Sequence, residues 1–216
     1  QNSIGTGYGN SIYFTTSGQV GTITDIDGNI YQTVKIGDQW WMAENLKVTH
    51  YNNGDSISHI TDENEWDNLR TGAYCEYRND SSFVPEYGRL YNWYCVNDSR
   101  KLAPVGWHVP NNEDWQILID YLGGSVIAGK KMKQICETML SNPDTSANNE
   151  SGFSALFAGQ RSEEGYSDKG YCARFWSATY QSSSIAWYWN LRSNHPEITK
   201  SNELVRQGYS IRLVRD

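Results

Sequence analysis

Nine tryptophans set in short aromatic runs constrain this chain more than any other feature. Among them are Trp40-Trp41, Trp93-Tyr94, Phe175-Trp176 and Trp187-Tyr188-Trp189. Each buried aromatic removes about 150–250 Å² from water, so these runs, with the tyrosines, supply a sizeable core although only 38% of residues are apolar. Successive side chains of a strand point to opposite faces. Trp187, Tyr188 and Trp189 therefore cannot share one face, and part of the trio must reach solvent or a second layer. Most of the tryptophans are expected in the core, and Trp187, Tyr188 and Trp189 are the candidate binding aromatics.

The formal net charge is −7 and the isoelectric point about 5.1. Binding nucleic acid requires a basic stripe that displaces counterions from phosphates. The densest basic run, Lys130, Lys131 and Lys133, reads as a solvated helix face, so nucleic acid is excluded as a partner. Charged residues make up 20%, below the usual figure of about 25%, and neutral polar residues fill the difference, as on many extracellular β-rich proteins. No apolar run approaches the roughly 20 residues that cross a bilayer. The opening Gln1-Asn2-Ser3-Ile4-Gly5 reads like residues just past a cleavage site, so an extracellular or cell-surface location after signal-peptide removal is expected.

Four cysteines, Cys75, Cys95, Cys136 and Cys172, show no metal-ligand spacing and allow three pairings. Cys75 and Cys95 lie in strand-like runs, Ala73–Tyr77 and Leu90–Cys95. This favours Cys75–Cys95 with Cys136–Cys172, the alternative being four buried thiols.

Local signals give the organisation. Residues 1–20 are rich in Gly, Ser, Thr and Asn and contain one strand-like stretch, Ser11–Thr15, with Ile12, Tyr13 and Phe14 at its centre. Thr22–Ile26 and Asn29–Ile36 form a hairpin across Asp27-Gly28, where glycine supplies positive φ. Asp62, with Glu65 three residues on, caps a short helix. A longer helix follows Pro110, capped by Asn111 or Asn112, with Trp115, Leu118, Ile119 and Leu122 on one face and Gly123-Gly124 at its end. A second spans about Ala128 to Leu140, and Ser141–Ser151 is a polar loop. Strands follow at Phe153–Phe157, Ala173–Ala178, Ile185–Leu191 and Tyr209–Val214. Strands, two helices and strands again define an α+β domain over residues 21–216, preceded by an extension, residues 1–20.

Several blocks in one order resemble the Fibrobacter succinogenes major paralogous domain, a family of secreted bacterial domains. They are Asp27–Tyr31, Val34–Gly37, Gln39–Leu46, Tyr87–Trp93, Pro104–Pro110 with Glu113–Trp115, Gly152–Leu156, Phe175–Ser177 and Gly208–Arg212. The resemblance covers about residues 22–216. It implies an extracellular protein with a C-type-lectin-like fold, two central helices flanked by antiparallel strands, a fold shared with formylglycine-generating enzymes. It brings no activity with it. Arg212 alternates with Ile211 and Leu213, so it faces away from them, toward an acidic partner.

Chemical motifs fail where tested. Gly124–Lys131 nearly matches a phosphate-binding loop but has Lys131 where Ser or Thr must hold Mg²⁺. Asp25-Ile26-Asp27-Gly28 has its glycine two residues early for a calcium loop, and the sugar-binding triplets of calcium-dependent lectins are absent. Four histidines lack zinc spacing, and His108 reads as structural. Formylglycine-generating chemistry needs a cysteine pair in the C-terminal part, where only Cys172 lies. No catalytic residue or cofactor is therefore expected, with a calcium ion held by loop carboxylates and carbonyls left open. Three roles follow in order: a non-enzymatic recognition module for a glycan or protein at the cell surface; a structural subunit that joins copies of itself through Ile12, Tyr13 and Phe14; and an enzyme whose site is not visible in sequence.

Overall fold

The computed structural model describes residues 18–134 and 144–216. Its strands are β1 (Val20–Thr24), β2 (Ile30–Ile36), β3 (Gln39–Met42), β4 (Ser58–His59), β5 (Ala73–Cys75), β6 (Leu90–Tyr91), β7 (Trp107–His108), β8 (Gln160–Ser162), β9 (Gly165–Ser167), β10 (Cys172–Ser182), β11 (Ile185–Arg192), β12 (Ile198–Leu204) and β13 (Val214–Arg215). Its helices are α1 (Glu63–Asn68), α2 (Val84–Tyr87), α3 (Trp93–Val96), α4 (Asn112–Leu122) and α5 (Ser125–Met132). Three sheets have strand orders β1-β2-β3-β13-β7, β4-β5-β6 and β10-β11-β12, and β8-β9 is a separate hairpin.

The three sheets wall a central core. Tyr31 and Met42 enter it from the first sheet, Tyr74 and Tyr91 from the second, and Trp176 and Ala186 from the third. The opposite faces are buried as well. Val34, Ile36 and Trp41 from the first sheet, and Phe175, Trp189 and Leu191 from the third, pack with Trp115, Leu118, Ile119 and Leu122 of α4. Ala73, Cys75 and Leu90 of the second sheet pack against Trp66 of α1. A strand covered on both faces needs large apolar neighbours in succession, and this explains the aromatic runs. Trp41, Trp66, Trp93, Trp115, Trp176 and Trp189 are all buried. Three indole N–H groups also tie elements together, Trp66 to Arg206 O at 2.7 Å, and Trp93 to Ser177 O and Trp176 to Tyr91 O, each at 2.8 Å.

Local signals are realised where the cap or turn chemistry is complete. The Asp25 carboxylate accepts from Asp27 N and Asn29 N at 3.0 Å, and Gly28 takes φ 82° between β1 and β2. Asp62 accepts from Glu65 N at 2.9 Å. Asn111 and Asp114 form a reciprocal capping box, and Gly123 closes α4 in the left-handed conformation.

Several expectations are corrected. Two central helices flanked by antiparallel strands in a C-type-lectin-like arrangement are not found. Strand outweighs helix, 35% to 21%, and several sheets share the chain. The apolar stripe of α4 meets one outer core only, so the helices cover a face and do not occupy the centre. The second helix begins earlier, at Ser125, and stops at Met132, because Lys133 turns extended and bridges to Ala155. Phe153–Phe157 makes that bridge without becoming a strand. Leu90–Cys95 breaks after Tyr91, since the Asn92 side chain accepts from Cys95 N and caps α3. The Cys75–Cys95 bridge is absent: Cys75 faces the core under Trp66, whereas Cys95 faces the central core. Cys172 is likewise a free, buried thiol. Cys136, the extension strand with Ile12, Tyr13 and Phe14, and most of the expected helix beyond Met132 lie outside the described residues.

Candidate binding groove

The aromatic trio does not form a common surface. The Tyr188 ring lies 4.8 Å from that of Tyr209 in the central core, while Trp189 lies 6.0 Å from Trp115 on the other side of the sheet. Trp187 alone stays half-buried without a core cluster, with the Lys200 ammonium 4.9 Å from its ring centre. The third sheet thus sets Tyr188 and Trp189 against opposite interiors and leaves Trp187 outside both clusters.

The blocks that carry the family resemblance converge on a buried polar hub. Arg212 is fully buried and donates through Nε to Asn45 Oδ1 at 2.7 Å. Its Nη1 reaches Met42 O at 2.9 Å and Phe153 O at 2.7 Å, and its Nη2 reaches Ser154 O at 2.8 Å. The expected acidic partner is replaced by carbonyls and an amide. Burial pushes the guanidinium pKa down to about 9, which leaves it charged at neutrality. Asn45 in turn donates to Tyr87 O at 2.8 Å. Two more buried cations act alike. Arg161 holds the carbonyls of Ile60, Thr61 and Asp62, and Lys133 holds Asp144, Arg192 O and His195 O. These groups staple loops to the core and leave no donor facing solvent for a ligand.

An open groove draws on one family block, Val34–Gly37, and otherwise on residues outside the blocks. It holds about 550 Å³ and is lined by Gln19 before β1, Lys35 to Gly37 at the β2–β3 turn, Tyr121 and Leu122 of α4, Lys131 of α5, and the loop residues Glu150 and Ser151. Gln19 O accepts from Lys35 N at 2.8 Å, which fixes one wall. On the other, Ser151 donates through N and Oγ to Lys131 O at 3.0 and 2.8 Å, and Lys131 Nζ pairs with Glu150 at 3.1 Å. Tyr121 is 65% exposed. One part of its ring rests on Gly37, where an added Cβ would lie 2.8 Å from the ring, and Gly37 itself has φ 61°. Glycine is needed there twice, for the turn and for the ring's approach.

Sequence reading passed over this groove because its walls come from five separate stretches. One signal was present: Tyr121 and Ile117, four residues apart, sit on α4 away from the buried stripe and are both exposed. Among the described residues no three His, Cys, Asp or Glu side chains come together as a metal site. None of the described helices is long and apolar enough to cross a membrane.

The Fibrobacter succinogenes major domain matches residues 34–215. Neither the curated proteins nor the solved structures include a match.

Proposed function

We propose that this chain, which belongs to the Fibrobacter succinogenes major domain family, is an extracellular, non-enzymatic recognition module that holds a saccharide in the groove beside Tyr121. The observation that carries this reading is the exposed Tyr121 ring, resting on Gly37, in a cavity with polar walls. A pyranose presents C–H groups on its faces and hydroxyls around its edge. An aromatic face suits the first; the Gln19 amide, the Lys35 and Lys131 ammonium groups and the Glu150 carboxylate suit the second. The groove volume falls in the range of about 300–1,000 Å³ typical of small-ligand sites. Among the described residues Glu150 is the one carboxylate in the lining, and the proposed binding is direct, without a calcium bridge.

A glycan array tests the reading, with and without a calcium chelator. Wild type is expected to bind at least one saccharide class, chelator or not, and Tyr121→Ala to weaken that binding about tenfold, or ~1.4 kcal/mol. A blank array, or equal binding by the variant, sinks it.

A second reading, a structural subunit, is favoured by the outer edge of β1. Among the described residues β1 pairs with β2 alone, and Val20 is 60% exposed. An edge of this kind accepts an added strand, and the segment with Ile12, Tyr13 and Phe14 from another copy is the proposed donor. Removing residues 1–16 should then convert assemblies to monomers in negative-stain images; monomers from both chains exclude it.

A further inference from the structure

A second cavity, of about 90 Å³, lies between elements that take no part in the groove. It is lined by Arg70 after α1, Tyr94 of α3, Ser184 at the β10–β11 turn, and Leu204, Val205 and Arg206 at the end of β12. Backbone bonds fix the frame: Val205 N donates to Ser184 O at 3.0 Å, and Trp93 N donates to Val205 O at 2.8 Å. The Trp66 indole holds Arg206 O. The walls are thus set by α1, α3, the β10–β11 turn and the end of β12, and two arginines line the cavity in a protein of net charge −7.

Neither guanidinium is committed to a buried acid. Arg70 donates from Nη1 to the carbonyls of Asp67 and Leu69, and no acceptor among the described residues meets its Nη2 or Nε. Arg206 pairs through Nη2 with Glu163, whose side chain is 54% exposed. Such a surface pair is worth about 0.2–1 kcal/mol, so a ligand anion can displace it. The cavity is large enough for one carboxylate and too small for a whole sugar ring. Tyr180, four residues before Ser184 in the same hairpin, is 63% exposed, and its ring lies 6.0 Å from that of Trp93, the residue before Tyr94.

From this juxtaposition we infer that the cleft between Arg70 and Arg206 is a subsite for the carboxylate of an acidic saccharide, a uronic acid unit, with Tyr94 beneath and Tyr180 flanking the ring. The inference names the class of saccharide and in that respect rests on the recognition reading, but the residues involved are separate from the groove. Arginine is suited to the task because its planar donors meet both oxygens of a carboxylate. The neighbouring aromatic rings favour a sugar over an acidic peptide, which presents its carboxylates on flexible methylene stems.

Calorimetric titration of the full chain with an oligogalacturonate, a neutral oligosaccharide of equal length and an oligoglutamate tests this. Wild type should prefer the uronate over both, and 1 M salt should remove the preference, since the Debye length then falls to about 3 Å. Arg206→Gln should weaken uronate binding about tenfold and leave neutral-sugar binding unchanged. Glu163→Gln, which removes the competing carboxylate, should tighten uronate binding roughly twofold to fivefold. Arg70→Gln, at an exposed side chain, provides a second variant with little effect on folding. Unchanged uronate preference in both arginine variants overturns the inference, as does an oligoglutamate that binds as well as the uronate. Tyr121→Ala separates the two claims. If it abolishes all saccharide binding while the arginine variants change nothing, the groove stands and the cleft falls; the reverse pattern keeps the cleft and removes the groove.

Discussion

At Arg212 a fork of N–H donors meets four acceptors drawn from Met42, Asn45, Phe153 and Ser154, so one side chain closes three distant stretches of chain onto each other. Truncating it would leave buried carbonyls without donors, each costing about 1–3 kcal/mol. Arg212→Ala is therefore expected to lose about 3–5 kcal/mol in urea unfolding, and Arg212→Lys much of that, since one ammonium cannot span the acceptors. The direction of Arg212 was legible from its alternation with Ile211 and Leu213, which do enter the central core. Its partners were not, because backbone carbonyls carry no sequence signature and these lie 58 to 170 residues away. Gly37 makes the complementary case. Gly37→Ala must adopt a left-handed φ and push the Tyr121 ring aside, at an expected cost of about 1–2 kcal/mol. A thermal melt reads that cost, and the same variant should lose saccharide binding with its lining residues otherwise intact.

Elements were legible where their signals are local. The β1–β2 turn, the Asp62 cap and α4 were readable because each cap or turn residue acts within four positions of its target. α3 was misread since a cap at Asn92 sits inside an aromatic run that otherwise reads as strand. β12 was missed because Ile198–Leu204 is a polar edge strand that gains its structure from pairing with β11. The start of α4 carries a pH signature. His108 Nε2 lies 3.1 Å from Asp114 and Nδ1 2.6 Å from Asp216. The bond to Asp114 raises the His108 pKa above 6.5 against the pull of burial, and Asp216 adds to the rise. Burial alone would raise Asp114, but bonds from His108 and Asn111 N bring it below 3.8. The His108 contribution is full below about pH 6.5 and fades as pH climbs through the raised value. The Asp114 contribution is present above about pH 4 and fades as pH falls through the lowered value. Thermal melts of wild type and His108→Gln should therefore differ most between about pH 4 and 6.5 and converge on both sides. With His108 38% exposed the gap stays below about 1 kcal/mol.

At the scale of the molecule, three sheets enclose one core and carry two more on their outer faces, and the aromatic runs are what such doubly covered strands require. The expectation of a tryptophan-rich core was legible because alternation forces neighbours to opposite sides. The layering itself was not, since which sheet faces which depends on contacts between distant strands. The same arrangement buries Trp189 and sets half-buried Tyr188 against the central core, and the proposed saccharide site lies instead in the groove beside Tyr121. Assignment of the backbone amides followed by titration with the saccharide selected on the array tests this most directly. The account predicts chemical-shift changes concentrated at Gln19, Lys35, Gly37, Tyr121, Lys131 and Ser151, and their loss in Tyr121→Ala. Shifts centred on Trp187, Tyr188 and Trp189, with the groove unperturbed, would contradict it.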